Sequence, residues 1–199
     1  MPKTMKGCRP LTVDEKKEIE NSFYGRHAAR NRTLFLLGVH TGFRISELLC
    51  VKVKDVWTGS GVRDWIKVRR SNMKAKKNGR EVPLNPEIKQ VLADYMAQHN
   101  PSPDQPLFAS QKNPYEPINR FRAHRILKDV FDECGFSGSV ATHSMRKTYA
   151  WGMYRVSGGD IHKVQKMMGH SSVATTVNYL GFSNEEASDL SNKYAELFK

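Results

Sequence analysis

The chain has 199 residues, enough for one sizeable core, and sets 32 Lys and Arg against 20 Asp and Glu for a net charge of +12. That balance favours a polyanionic partner and points to nucleic acid ahead of a membrane surface. No apolar run approaches the roughly 18 residues of a transmembrane helix, and no signal-peptide pattern opens the chain. Cys8, Cys50 and Cys134 form no CxxC pair, which argues against a zinc site or disulfide framework and fits a reducing cytoplasm.

Residues 1–10 are basic and are expected to be flexible. Thr12-x-x-Glu15 is a capping-box pattern, so a helix is predicted over 13–23. A second helix is expected over 26–40, with Leu34 and Leu37 in its buried stripe and Thr41-Gly42 as its stop. Arg44 opens a third, whose apolar face is Ile45, Leu48 and Leu49, while Arg44 and Glu47 lie three apart on another face. The period then changes. Residues 57–70 read as one or two strands, 71–79 (SNMKAKKNG) as a hairpin connection ending in Asn-Gly, and 80–84 as the returning strand. Asn85-Pro86 is an N-cap followed by proline at the first helical position, so a helix runs to about residue 99. A loop follows at 101–106, and Phe108 closes a short strand. An amphipathic helix covers 117–134 and stops at Gly135. Further helices are expected over 143–156, 160–168, 173–180 and 185–198. The fold class is therefore mainly α with a small antiparallel β-sheet at one edge (α+β), in one domain over 11–199.

The stretch 141–180 concentrates the chemistry. His143 and Arg146 lie one helical turn apart and share a face. Tyr179 follows His170 by nine residues, two and a half turns at about 3.6 residues per turn. A continuous helix would hold the two on opposite faces. Gly169 is a helix stop and Ser171 or Ser172 a new cap, so the break can turn both side chains to one place. A cation, two imidazoles and a phenol converging suit an anion under attack, and phosphate is the obvious candidate.

Thr41-Gly42-Phe43-Arg44-Ile45-Ser46-Glu47-Leu48, then His143-x-x-Arg146, then Gly169-His170 and Tyr179, resemble the tyrosine recombinases (the phage integrase family) in order, spacing and intervening apolar pattern. The likeness runs from about residue 11 to about 182, and with His27-Ala-Ala-Arg-Asn and the short length looks most like the single-domain fimbrial phase-switch recombinases. It implies the tyrosine recombinase catalytic-domain fold over 11–199, without the core-binding domain that precedes it in larger members. It also implies a site-specific DNA recombinase or integrase working through a 3′-phosphotyrosyl intermediate, with no metal and no cofactor.

The residues themselves support that chemistry. A phenol titrates near pH 10, so only about a thousandth is ionised at neutrality and attack needs a base or a strong positive field. A phosphodiester under in-line attack gains charge on its non-bridging oxygens, which planar, permanently charged guanidinium groups match best. Arg44 and Arg146 are therefore the expected clamp. His143 is the expected proton acceptor for Tyr179, and His170 a hydrogen-bond donor to a phosphate oxygen. The family places its lysine general acid on the hairpin, at Lys74 or, with another register, Lys76. Each residue also has an ordinary reading: Arg44 as a surface partner of Glu47 or Asp55, His143 as a helix cap, Tyr179 as core like Tyr149 and Tyr154. Glu47 can orient Arg44 or His143 as a supporting carboxylate.

The resemblance implies double-stranded DNA as partner, a free monomer that becomes a tetramer on paired sites, and a cytoplasmic location on the nucleoid or in the host of a phage. It leaves room for an accessory DNA-bending protein. The competing readings are a type IB topoisomerase-like relaxing enzyme and a non-catalytic DNA-binding regulator. Within 182–199, Ala187, Leu190, Tyr194 and Leu197 form an apolar stripe that either packs on its own domain or docks on a neighbouring protomer.

Overall fold

A computed structural model describes residues 7–68 and 80–181, together with 192, 195 and 196. Lys74, Lys76 and Lys77, in the connection expected to form a hairpin, and the apolar stripe expected within 182–199 lie outside the described residues.

The capping box at Thr12 forms in both directions. Thr12 Oγ1 accepts from the Glu15 amide at 3.2 Å, and Glu15 Oε2 accepts from the Thr12 amide at 2.9 Å. It opens α1 (Val13–Asn21). Helix α2 (Ala28–Thr41) is the centre of the molecule. Leu34, Phe35, Leu36 and Leu37 are all fully buried, so this helix is covered on every side rather than along one stripe. Helix α2 packs on α7 (Thr142–Val156) and α5 (Pro86–His99), and also touches α1, α3 (Ile45–Leu48) and α6 (Arg120–Cys134). A short helical turn, α4 (Val53–Val56), precedes the sheet. Two strands, β1 (Trp65–Val68) and β2 (Arg80–Pro83), pair antiparallel with Ile66 opposite Val82 and Val68 opposite Arg80.

Four local expectations shift. The strand expected over 57–70 begins only at Trp65, and Trp57 meets Val62 in a single bridge. Phe108 closes no strand, since its surroundings form only isolated bridges such as Ala109 with Pro117. That bridge holds Pro117 out of the helix, so α6 starts at Arg120, behind the Asn119 cap that accepts from the Arg122 amide at 2.7 Å. The last part of the opening segment is also fixed rather than loose. The Arg9 amide donates to the Ser139 carbonyl at 2.9 Å, the Leu11 amide donates to Thr148 Oγ1 at 2.8 Å, and Cys8 is buried.

Helices α7, α8 (Ile161–Met168) and α9 (Val173–Leu180) pack in sequence against one another. Helix α7 approaches α2 closely because two glycines four apart face it. A Cβ at Gly38 would lie 2.8 Å from Met145 Sδ, and one at Gly42 would lie 2.5 Å from Tyr149 Cδ1. Met145 and Tyr149 are themselves four apart, so two small residues on one helix receive two large ones on the other.

Candidate active site

The site is built where helices end. Helix α2 stops at Gly42, which takes the left-handed conformation at φ 61°, and α8 stops at Gly169, likewise at φ 61°. A left-handed residue at this position is the ordinary glycine stop, and it leaves the last carbonyls of each helix free to accept from outside. Both ends aim carbonyls at the guanidinium of Arg146. Arg146 Nη1 donates to the Gly42 carbonyl, and Nη2 donates to the Met168 carbonyl at 2.9 Å. Arg146 is only 2 % exposed, and among the described residues its charge is held by the negative ends of two helices, with no carboxylate paired to it.

The break between α8 and α9 forms as the residues demand. Ser172 Oγ accepts from the Thr175 amide at 3.2 Å and starts α9. His170, in the break, lies between Arg146 and Thr176: Nε2 is 3.2 Å from Arg146 Nη2, and Nδ1 is 3.0 Å from Thr176 Oγ1. The Thr176 hydroxyl can accept from or donate to Nδ1, so the contact suits either tautomer of the ring; with the proton on Nδ1, Nε2 accepts from the guanidinium. Tyr179 turns back toward the same place. Its ring meets that of His170 edge to face, 5.4 Å between centroids, and Arg146 Cζ is 5.8 Å from its centre. Lys147 Nζ lies 6.0 Å from the same ring. Trp151 Nε1 donates to the Leu180 carbonyl at 3.1 Å and fixes the end of α9 next to Tyr179.

Arg44 occupies the outer side. Its side chain is 41 % exposed, and Nη1 pairs with Glu47 Oε1 at 3.0 Å. The other oxygen of the buried Glu47 carboxylate accepts from the Arg44 amide at 2.7 Å. Glu47 therefore holds Arg44 at both its side chain and its amide, and leaves part of the guanidinium fork open to solvent.

The electrostatics describe a buried phenol that keeps its proton. The Tyr179 hydroxyl is sealed from solvent and finds no well-formed hydrogen bond among the described residues. Burial pushes its pKa up to about 12, against the pull of Arg146 and Arg44 toward the phenolate. Those cations alone do not ionise it. His143, in the first turn of α7, is exposed at its rim, yet loss of hydration lowers its pKa and the charges of Arg146, Arg44, Arg120 and Lys147 lower it further. At neutral pH it is an uncharged imidazole able to accept a proton.

Arg146, His170 and Tyr179 thus lie in one cluster. Arg44 and His143 stand at its rim, within electrostatic reach. Reading the sequence missed Arg80, a buried guanidinium on β2 that donates to the Thr41 carbonyl and shares the carbonyls of Gly42 (3.5 Å) and Met168 (3.4 Å) with Arg146. It missed Lys147 and Thr176 as well. The alternation of β2 held the signal for Arg80: Val82, two residues on, is apolar, so Arg80 shares the inward face.

Residues 10–186 match the Phage integrase family. A probable integrase/recombinase, YoeC of Bacillus subtilis strain 168, is 28 % identical over 177 residues, covering 89 % of this chain and 91 % of that protein. A tyrosine recombinase of Pseudothermotoga lettingae is 31 % identical over 152 residues, covering 76 % of this chain but 49 % of the relative. The crystal structure of XerA recombinase superposes with a TM-score of 0.75 at 25 % identity, over 95 % of this chain and 64 % of that one. A XerH site-specific recombinase bound to a palindromic difH substrate, in a post-cleavage complex, shares the fold at 21 % identity and a TM-score of 0.71, over 96 % of this chain and 54 % of that one. The chain spans about half to two thirds of the length of most of these relatives. With its match covering all but the two ends of the sequence, the chain belongs to the phage integrase family, whose members similar to it are named tyrosine recombinases.

Proposed function

We propose that the chain cleaves and rejoins DNA strands at specific sites, with Tyr179 as the nucleophile. The observation that carries this is the packing of the Tyr179 ring against Arg146 and His170 at the meeting of two helix ends. Tyr179 Oη attacks a backbone phosphorus in line, the bond from phosphorus to the 5′-oxygen breaks, and a 3′-phosphotyrosyl link holds the bond energy for rejoining. Arg146 and Arg44 neutralise the charge that builds on the non-bridging oxygens. His143 accepts the phenolic proton. His170 donates a hydrogen bond to a phosphate oxygen from Nε2, with the ring proton on that nitrogen and the Thr176 hydroxyl donating to Nδ1. The 5′-hydroxyl must gain a proton as it leaves, and Lys74, with Lys76 as its alternative, is the proposed donor.

DNA is the proposed partner, on the strength of the +12 charge and of relatives whose structures hold DNA. The proposed assembly is a free monomer that forms a tetramer on paired sites, in the cytoplasm, with an accessory bending protein where a site requires one. No described helix is long and apolar enough to cross a membrane.

A nicked suicide duplex of the cognate site tests the reading, because it traps the covalent adduct. Tyr179→Phe is expected to abolish the adduct and keep DNA binding. Adduct formation by the Phe variant at the native rate excludes Tyr179. Relaxation of supercoils without strand exchange would instead favour a topoisomerase-like enzyme.

A further inference from the structure

Arg80 is an expensive residue to keep where it is. It is 6 % exposed, and among the described residues Nε has no partner and no carboxylate pairs with the guanidinium directly. Its guanidinium lies 4.8 Å over the Phe43 ring and 6.0 Å from the centre of Tyr149. Burial, and after it the charge of Arg146, pushes its pKa down to about 10, so it remains a cation at neutral pH. A buried cation with unsatisfied valence next to a second cation costs stability, and an apolar residue of similar size often does as well or better.

What Arg80 touches explains its presence. The Gly42 and Met168 carbonyls each have two lone pairs, and each receives one guanidinium N–H from Arg146 and one from Arg80. Arg80 also takes the Thr41 carbonyl, one residue deeper in α2. Arg146 therefore has Tyr179 on one side and a like charge on the other. With Arg80 removed, the three carbonyls would offer Arg146 a deeper seat, and nothing would repel it from that seat.

We infer that Arg80 is a positioning residue: it occupies the inner half of the carbonyl cage and holds the Arg146 guanidinium forward, against Tyr179. The inference rests on the proposed role of Arg146 as a phosphate clamp, and it assigns Arg80 no contact with DNA.

The test uses the full chain and the suicide duplex at saturating concentration. Arg80→Met is expected to slow adduct formation at least tenfold with DNA affinity changed less than twofold. Arg80→Lys, which keeps the charge but not the fork, is expected to recover part of the rate. In an Arg146→Lys background, Arg80→Met should cost less than twofold further, because there is no guanidinium left to misplace. The guanidinium NMR signal of Arg146 should shift in Arg80→Met and stay in place in Val82→Ala, a core change on the same strand face. A rate loss in Arg80→Met that only tracks its loss of melting temperature, as in Val82→Ala, with the Arg146 signal unmoved, overturns the inference. So does an equal rate loss in both Arg146 backgrounds. Should Arg80→Met not fold, Arg80→Lys with the same rate, background and NMR readouts decides the matter. Native-rate cleavage by Arg146→Ala would instead overturn the clamp itself.

Discussion

Replacing Gly42 by alanine perturbs fold and chemistry through one atom. The residue sits at φ 61°, where a side chain costs about 1–2 kcal/mol, and the new Cβ would lie 2.5 Å from Tyr149 Cδ1. Relieving that overlap, in a well-packed helix contact, costs about 1–3 kcal/mol more. The combined loss of about 2–5 kcal/mol corresponds to a drop in melting temperature on the order of 10 °C for a chain of this size. Gly135 is the matched control. It is also a left-handed helix stop, at φ 64°, but a Cβ there meets nothing within 4 Å. Gly135→Ala carries only the conformational cost, about 1–2 kcal/mol. The decisive difference is in the rate. The Gly42 carbonyl accepts from Arg146 and from Arg80, so a backbone shift at residue 42 moves Arg146, the proposed clamp. Misplacing a catalytic group by about 1 Å can cost about a hundredfold. Scanning calorimetry with single-turnover cleavage of a suicide duplex measures both effects. If Gly42→Ala melts like Gly135→Ala and cleaves at the native rate, the carbonyl cage does not control the site.

Arg146→Lys should cleave at least about a hundredfold more slowly, because one ammonium cannot serve two separated carbonyls and a phosphate; Arg44→Lys, at an exposed site with one carboxylate partner, should lose less. An equal, small loss in the two variants, measured by quench-flow, would contradict the fork argument. Trp151→Phe removes the hydrogen bond to the Leu180 carbonyl, and should lower stability by about 1 kcal/mol and slow adduct formation while DNA affinity, read by fluorescence anisotropy, holds. His40 is held below its ordinary value of 6.5 chiefly by burial, and unfolding frees it to bind a proton. A depressed folded pKa means that its contribution is full above about pH 6.5 and is lost as the pH falls through the folded value. The urea midpoint should therefore drop between pH 7.5 and pH 5, and less so in His40→Asn; a midpoint that rises toward acid would refute the assignment.

Much of this architecture was legible because its helix ends are written in side chains. Thr12, Asn85, Gly135, Gly169 and Ser172 each stop or start a helix where their chemistry says, and the break at Gly169 led directly to His170 and Tyr179 facing one another. What stayed hidden depended on tertiary contacts. The start of α6 moved because Pro117 is drawn into a bridge with Ala109, a contact with no local pattern. Arg80 was missed because a charged residue at the head of a short strand reads as solvent-facing, and only the meeting of α2 and α8 makes a place for it inside. The roles of His143 and of the hairpin lysines came from resemblance. Their spacing alone fixes no partner for them.

The carbonyl cage also shapes how this sequence can drift. A carboxylate that holds an arginine is lost by one nucleotide change, but a main-chain carbonyl survives any substitution at its own residue. Thr41 and Met168 can therefore vary within the limits of core volume and still present the same oxygen to Arg80 and Arg146. The constraint passes to the neighbours that set the direction of those oxygens, Gly42 and Gly169, where every other residue meets a left-handed backbone. A saturation library across these four positions, selected for cleavage, should accept diversity at 41 and 168 and return glycine at 42 and 169.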